Sequence, residues 1–155
     1  MTTIGDYGTP TDTLASPSLS EWAAAVATAV GGLQTGTSAV VAPVTGWTDF
    51  GGAYASMTVT RVGVLVVAEM MVKPTADKAV TAGTPYQFAT LPVGFRPTSN
   101  RIVAAMMTPG ATASMRAIRV TVAASDGSIS GISPVNETIL AATGWVSVVT
   151  TFKGA

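Results

Sequence analysis

The sequence predicts a mainly β protein, an antiparallel β-sandwich or jelly roll preceded by an extended N-terminal arm and one short α-helix. Three observations predict it. The hydrophobic share, 48% of 155 residues, is carried by Ala and Val, with Thr as the main polar partner and only 6% aromatics. That mixture suits strands and gives modest burial per residue. Past residue 37 apolar residues alternate with polar ones, the period of a strand with one buried face. Turn-forming clusters interrupt this region at short intervals, and no second helical pattern appears.

Residues 1–17 are rich in Thr, Gly, Pro, Asp and Ser and have no apolar periodicity, so they read as an extended arm. Ile4, Tyr7 and Leu14 stand among its turn formers as the groups able to seat it on a partner; a loose terminus is the plainer alternative. Residues 18–33 read as a helix. Ser18 and Glu21 have capping-box spacing, in which each side chain satisfies an amide at the first turn. Leu19, Trp22, Val26, Ala29 and Leu33 then recur every three or four residues, the seam of a short coiled coil. Gly31-Gly32 is expected to end it. A helix this short is marginal alone in water, so it has to dock. A parallel bundle of copies, such as a trimer, and a seat on another protein both stay open.

Residues 37–155 form the expected β domain, with seven or eight strands and no internal linker. Apolar residues alternate through Ala55–Thr60, and Ile118, Val120 and Val122 alternate with Arg119 and Thr121. The runs Val62–Ala68 and Ile102–Met107 are apolar on both faces, which places them inside a sandwich or against another subunit. Turns are expected at Gly51-Gly52, Lys73–Asp77, Gly83–Pro85, Pro109-Gly110, Asp126-Gly127 and Gly144. Asp126-Gly127 is the best hairpin candidate.

Eight basic residues balance eight acidic ones, and charged residues are 10% of the chain, against roughly 25% in an average soluble protein. Nucleic-acid binding needs clustered cations, whereas the five arginines, Arg61, Arg96, Arg101, Arg116 and Arg119, are dispersed. They read as solvated strand faces or subunit ion pairs. A weakly charged, small-residue surface is best accommodated by burying part of it between subunits, so self-association is expected. The longest apolar run, Val62–Val72, contains Glu69 and falls short of the roughly 20 residues that span a bilayer. The first residues lack a secretory pattern, so synthesis in a cytoplasm is expected.

The chain has no His and no Cys, which removes disulfides, thiolate and imidazole metal ligands, and every catalytic arrangement built on an imidazole or a thiolate. No phosphate loop and no clustered carboxylates appear. Catalytic residues, a metal and a cofactor are therefore not expected. Asp49, Glu69, Asp77, Asp126 and Glu137 are the carboxylates available for a glycosidase-like pair. Turn contexts account for Asp77 and Asp126, and a strand start for Glu137. Glu69 interrupts an apolar run and, if buried, needs a partner such as an arginine. Trp47, Tyr54 and Tyr86, with Phe88 and Phe95 nearby in sequence, offer rings that stack on sugars; with ten aromatics in all, core packing is the competing use.

One series of residues carries a family resemblance. Gly46-Trp47, Tyr54, a strand with Arg61 and Gly63, a second strand ending near Lys73, Thr84-Pro85-Tyr86, and then Leu91-Pro92-Val93-Gly94-Phe95-Arg96-Pro97 follow in order. This resembles the C-terminal β-sandwich of tailed-bacteriophage fibre, appendage and receptor-binding proteins, over roughly residues 44–152. The resemblance implies a homotrimeric, non-enzymatic virion protein made in the bacterial host. Its arm and helix would anchor it to capsid or tail proteins, as a capsid decoration, head fibre or tail appendage, and its sandwich would project. The alternative it implies is an adhesion module that recognises a host-surface saccharide. Neither implies nucleic-acid binding or membrane insertion.

Overall fold

The computed structural model describes residues 19–34, 36–54, 57–110 and 114–155. They fall into two units, Met1–Gln34 and Thr35–Ala155. In the first, helix α1 (Leu19–Gln34) has Glu21 in its first turn, where a carboxylate favours the helix dipole. It runs through Gly31-Gly32 instead of ending there. Mid-helix glycine costs only about 1 kcal/mol relative to Ala, a weakening rather than a stop. The cap residue Ser18 and the arm residues Ile4, Tyr7 and Leu14 lie outside the described residues, as do the side chains of Leu19, Ala29 and Leu33. Of the predicted seam, Trp22 is 59% and Val26 39% exposed.

The second unit is β throughout. Its strands are β1 (Thr37–Val40), β2 (Ala42–Pro43), β3 (Trp47–Asp49), β4 (Thr58–Val62), β5 (Leu65–Pro74), β6 (Lys78–Val80), β7 (Pro85–Thr90), β8 (Arg101–Thr108), β9 (Arg116–Val122), β10 (Ser128–Ile132), β11 (Glu137–Ile139) and β12 (Trp145–Lys153). These twelve exceed the seven or eight expected because several are only two or three residues long. All their pairings are antiparallel. The main sheet runs β1-β4-β5-β12-β8-β9-β10-β7-β2, with β3 also on β5, while β11 and β6 form a separate pair.

The two ends of that path, β1 and β2, are consecutive in the chain with only Val41 between them. The segment 37–43 thus joins both edges and closes the sheet on itself, removing edges that would otherwise seek partners. Val41 is fully buried at the crossing and its N–H donates to Met57 O at 2.9 Å. Opposite the closure lies a seam. Strands β12 and β8 pair only through Trp145–Ser147 and Met106–Thr108. The segment before β8 meets the end of β12 where Pro97 bridges Gly154 and the Thr98 N–H donates to Lys153 O at 3.2 Å. The barrel-like sandwich therefore has one wall built on β4, β5 and β12 and another on β8, β9 and β10.

Alternation sets which side chains enter the core. Val66, Ala68, Met70 and Val72 of β5, Val146, Val148 and Phe152 of β12, and Ile118, Val120 and Val122 of β9 all point inward. The predicted alternation at 118–122 is observed directly. The hairpin at Asp126-Gly127 is also present, with Ile129 opposite Val122 and Gly127 at φ +76°. Asp126 Oδ1 accepts the Ser128 N–H at 2.9 Å, an Asx turn that holds the reversal.

Two expectations change. The apolar run 62–68 is not one strand, because the chain reverses at Gly63-Val64, with Val62 opposite Leu65 and Gly63 at φ +59°. The run 102–107 is one strand, but its second apolar face, Ile102, Ala104 and Met106, points outward and is exposed. Within a single chain only half of it is buried.

The Leu91–Pro97 segment links β7 to β8. Leu91 and Phe95 are buried while Val93 is exposed. The Phe95 N–H donates to Pro92 O at 3.2 Å across a turn whose third residue, Gly94, has φ +89°. The segment is held from two sides. On one, the Leu91 N–H donates to Gly127 O at 2.8 Å and Arg96 Nη1 to Ser125 O at 3.0 Å. On the other, Arg61 donates to Gly63 O at 2.8 Å, Gly94 O at 2.6 Å and Ala155 O at 2.7 Å. One guanidinium thereby ties the β4–β5 hairpin, this loop and the stretch after β12 together.

Candidate functional site

Trp47 and Tyr86 are brought together in space. Their rings stack at 5.9 Å with an 11° interplanar angle, and both lie against Phe88, at 5.8 and 6.3 Å. Trp47 is only 4% exposed, so its ring is spent on the core and offers no face to a sugar. Tyr86 is half-buried, and its hydroxyl donates to Met107 Sδ at 3.4 Å. Burial, and then the Glu137 carboxylate, push its phenol well above the ordinary tyrosine range. Tyr54 is 60% exposed; its edge contacts Phe50 at 5.1 Å, and Lys73 Nζ lies 5.4 Å over the Phe50 ring. Of the three predicted sugar-stacking rings, Tyr54 is the one presented on the surface.

The carboxylates take local roles. Asp49 accepts the Gly51 N–H at 3.1 Å, and Asp77 accepts the Ala141 N–H at 2.9 Å. Asp126 is held below the ordinary carboxylate range by the Ser128 backbone and hydroxyl bonds. Glu137, at the start of β11 as expected, accepts the Ser133 hydroxyl at 2.6 Å and lies 3.1 Å from Arg116 Nε. That approach is a charge contact and not a directed hydrogen bond, since Glu137 Oε2 has no donor in hydrogen-bonding geometry. Ser133 is fully buried and its hydroxyl is shared between Glu137 and Val135 O, so it is a turn-former. Glu69 is exposed on β5, between the buried Ala68 and Met70, so the arginine partner that burial would have required is not needed. Among the described residues no group of three metal-ligating side chains occurs.

What sequence reading missed is a shallow surface site around Arg119. Two open depressions of about 410 Å³ each flank it on the outer face of the β8–β9–β10 wall. Gly83, Ile132, Ser133 and Pro134 line one, Ile102, Val103 and Ala104 line the other, and Ala117 and Arg119 are common to both. The alternation at 118–122 did place Arg119 outward. Its neighbours come from strands distant in sequence, which no local pattern reveals. Such an arrangement can hold a ligand or a protein surface; its lining hydroxyl, Ser133, is fully buried and shared between Glu137 and Val135 O.

No family model and no curated protein matches this chain. Solved structures do. The head domain of lactococcal phage bIL170, a receptor-binding domain, superposes with a TM-score of 0.57 over 78% of this chain and 100% of that one, at 8% identity. The fold is shared. The receptor-binding protein of Listeria phage PSA gives a TM-score of 0.46 over 90% of this chain and 82% of that one, at 16% identity. No helix among the described residues is long and apolar enough to cross a membrane.

Proposed function

We propose that this chain is a non-enzymatic virion protein of a tailed phage, a homotrimer that projects its β domain from the particle for attachment to the host. The observation that carries the reading is the fold shared with the whole head domain of phage bIL170. Because folds host many functions, the site has to agree. Open depressions and an exposed tyrosine on the surface support it, as do Asp49, Asp77, Asp126, Glu137 and Ser133, whose side chains are engaged in turns and local bonds. Residues 1–17 and the helix serve as the anchor to capsid or tail proteins, and residues 37–155 as the projecting module.

A specific observation favours host adhesion over simple decoration of a capsid, since the matched domain is itself a receptor-binding one. The ligand class is a surface saccharide, met by the exposed Tyr54 and by the Arg119 guanidinium. The test is competition: host cells are incubated with the purified chain and then challenged with the parent phage. The protein is expected to remain on washed cells and to slow phage adsorption. Cells that retain none of it and adsorb phage at the usual rate would overturn the adhesion reading.

A further inference from the structure

The fold gathers cations that the sequence scatters. Arg61, Arg96, Arg101 and Lys153, half of the chain's eight basic side chains, stand at one end of the β domain. Arg61 is bonded to Gly63, Gly94 and Ala155, and Arg96 to Ser125. Lys153 lies opposite Leu65, its carbonyl bonded to the Thr98 N–H, and Arg101 opens β8 opposite Val122. Asp126 is the carboxylate side chain found there among the described residues, and it is occupied by the Ser128 N–H. The domain's other described charges balance. Asp49, Asp77 and Glu137 stand with Lys73, Lys78 and Arg116 near the opposite end, and Glu69 and Arg119 lie mid-strand. The domain's positive excess is therefore at the first end, and a free carboxylate on Ala155 would still leave cations in the majority. Among the described residues none of the four has a side-chain carboxylate within ion-pair distance. Arg61 and Arg96 donate to backbone carbonyls, which fix their charge in place without neutralising it. Arg101 and Lys153 are exposed, with no side-chain partner. Like charges held together without counterions create a field that favours an anionic partner.

We propose that this end is a second docking surface on the particle, for an acidic face of the capsid or tail protein to which the N-terminal anchor is fastened. The path of the chain selects that partner over a host polymer. Gly36 lies against Thr60 and Val62, and Thr37 lies opposite Arg61, so the chain enters the domain among these cations and the anchor is tethered to this end. A tethered partner is met at high effective concentration, so exposed charge contacts that are individually weak suffice to hold the domain in one orientation. Tyr54 lies beside Phe50, which packs with Lys73 toward the opposite end, so such docking leaves the exposed tyrosine free. The proposal rests on the anchor half of the function proposed above.

Particles assembled without this chain are loaded with the purified, fluorescently labelled full chain, and the bound fraction is followed against sodium chloride. Parent loading is expected to fall steeply with salt, since the screening length shrinks from about 10 Å at 0.1 M to about 3 Å at 1 M. R101E/K153E changes two exposed side chains outside the core, with circular dichroism confirming the fold. It is expected to load on the order of tenfold more weakly at low salt and with a flatter salt dependence, while staying on washed host cells as the parent does. R101K/K153R keeps both charges and is expected to load normally, as is K78E, a charge reversal at the opposite end. Salt-independent parent loading, a charge-reversed double variant that loads as the parent does, or a K78E variant equally impaired would each overturn the proposal and leave the arm as the anchor. A double variant that loads normally but no longer stays on host cells would place an anionic host polymer at this end and overturn it too. A parent chain that loads onto no particle would sink the anchor reading together with this surface.

Discussion

Replacing Gly127 by Ala tests how the β9–β10 hairpin and the Leu91–Pro97 loop hold each other. Gly127 sits at φ +76°, and a Cβ there would lie 2.7 Å from Leu91 O and 3.0 Å from Arg96 Nε. Leu91 cannot retreat easily, because its side chain is buried and its N–H is bonded to Gly127 O at 2.8 Å. Gly46 provides the control. It has φ +88° and nothing within 4 Å of a built Cβ, so Gly46→Ala adds backbone strain alone. That strain is about 1–2 kcal/mol, partly offset by the reduced freedom of the unfolded chain, leaving roughly 1 kcal/mol. Gly127→Ala adds an overpacking cost of about 2 kcal/mol, for a total near 3 kcal/mol. With a urea slope of about 2 kcal/mol per molar, the midpoint falls by roughly 1.5 M for Gly127→Ala and roughly 0.5 M for Gly46→Ala. Tryptophan fluorescence at one fixed protein concentration reads both, since self-association adds to apparent stability. Equal shifts for the two variants would refute the reasoning.

Phe88→Ala removes a fully buried ring that touches Trp47 and Tyr86, and is expected to cost about 3–5 kcal/mol and erase the near-ultraviolet dichroism of that cluster. Thermal melts and spectra check it. Asp126 titrates below its ordinary value of 3.8 in the folded chain. Its depressed folded pKa means that its contribution is complete above the unfolded value and fades as pH falls through the folded one. Carboxyl chemical shifts followed downward from neutral pH check this, and an ordinary Asp126 titration would contradict it. Deleting residues 1–17 is expected to leave the dichroism of residues 37–155 unchanged and to abolish incorporation into particles; full occupancy by the truncated chain would show that the arm is not the anchor.

Much of the fold was legible because it rests on local signals. Ile118, Val120 and Val122 announce a half-buried strand, Asp126-Gly127 its reversal, and the spacing from Trp22 to Val26 a helix. One miss is local and the others are not. Gly63-Val64 is a hairpin tip made of apolar residues, so composition disguised the turn that Gly63 makes. Val41 closes the barrel by pairing its two flanks with β4 and β7, a consequence of topology that no window of sequence contains. Arg61 reaches carbonyls 33 and 94 positions away. At the candidate site, alternation correctly turned Arg119 outward, whereas its depression is assembled from the β6–β7 turn, β8 and the stretch after β10. Trp47 looked the same in sequence whether it served a sugar or the core, and packing against Tyr86 and Phe88 decides for the core.

The central claim is that this chain is displayed on a phage particle to engage the host. Electron microscopy of intact particles carrying an affinity label on this chain tests it most directly. The account predicts label projecting from the particle surface, on capsid or tail, in clusters matching an oligomer. Particles that are infectious and bear no label would contradict it.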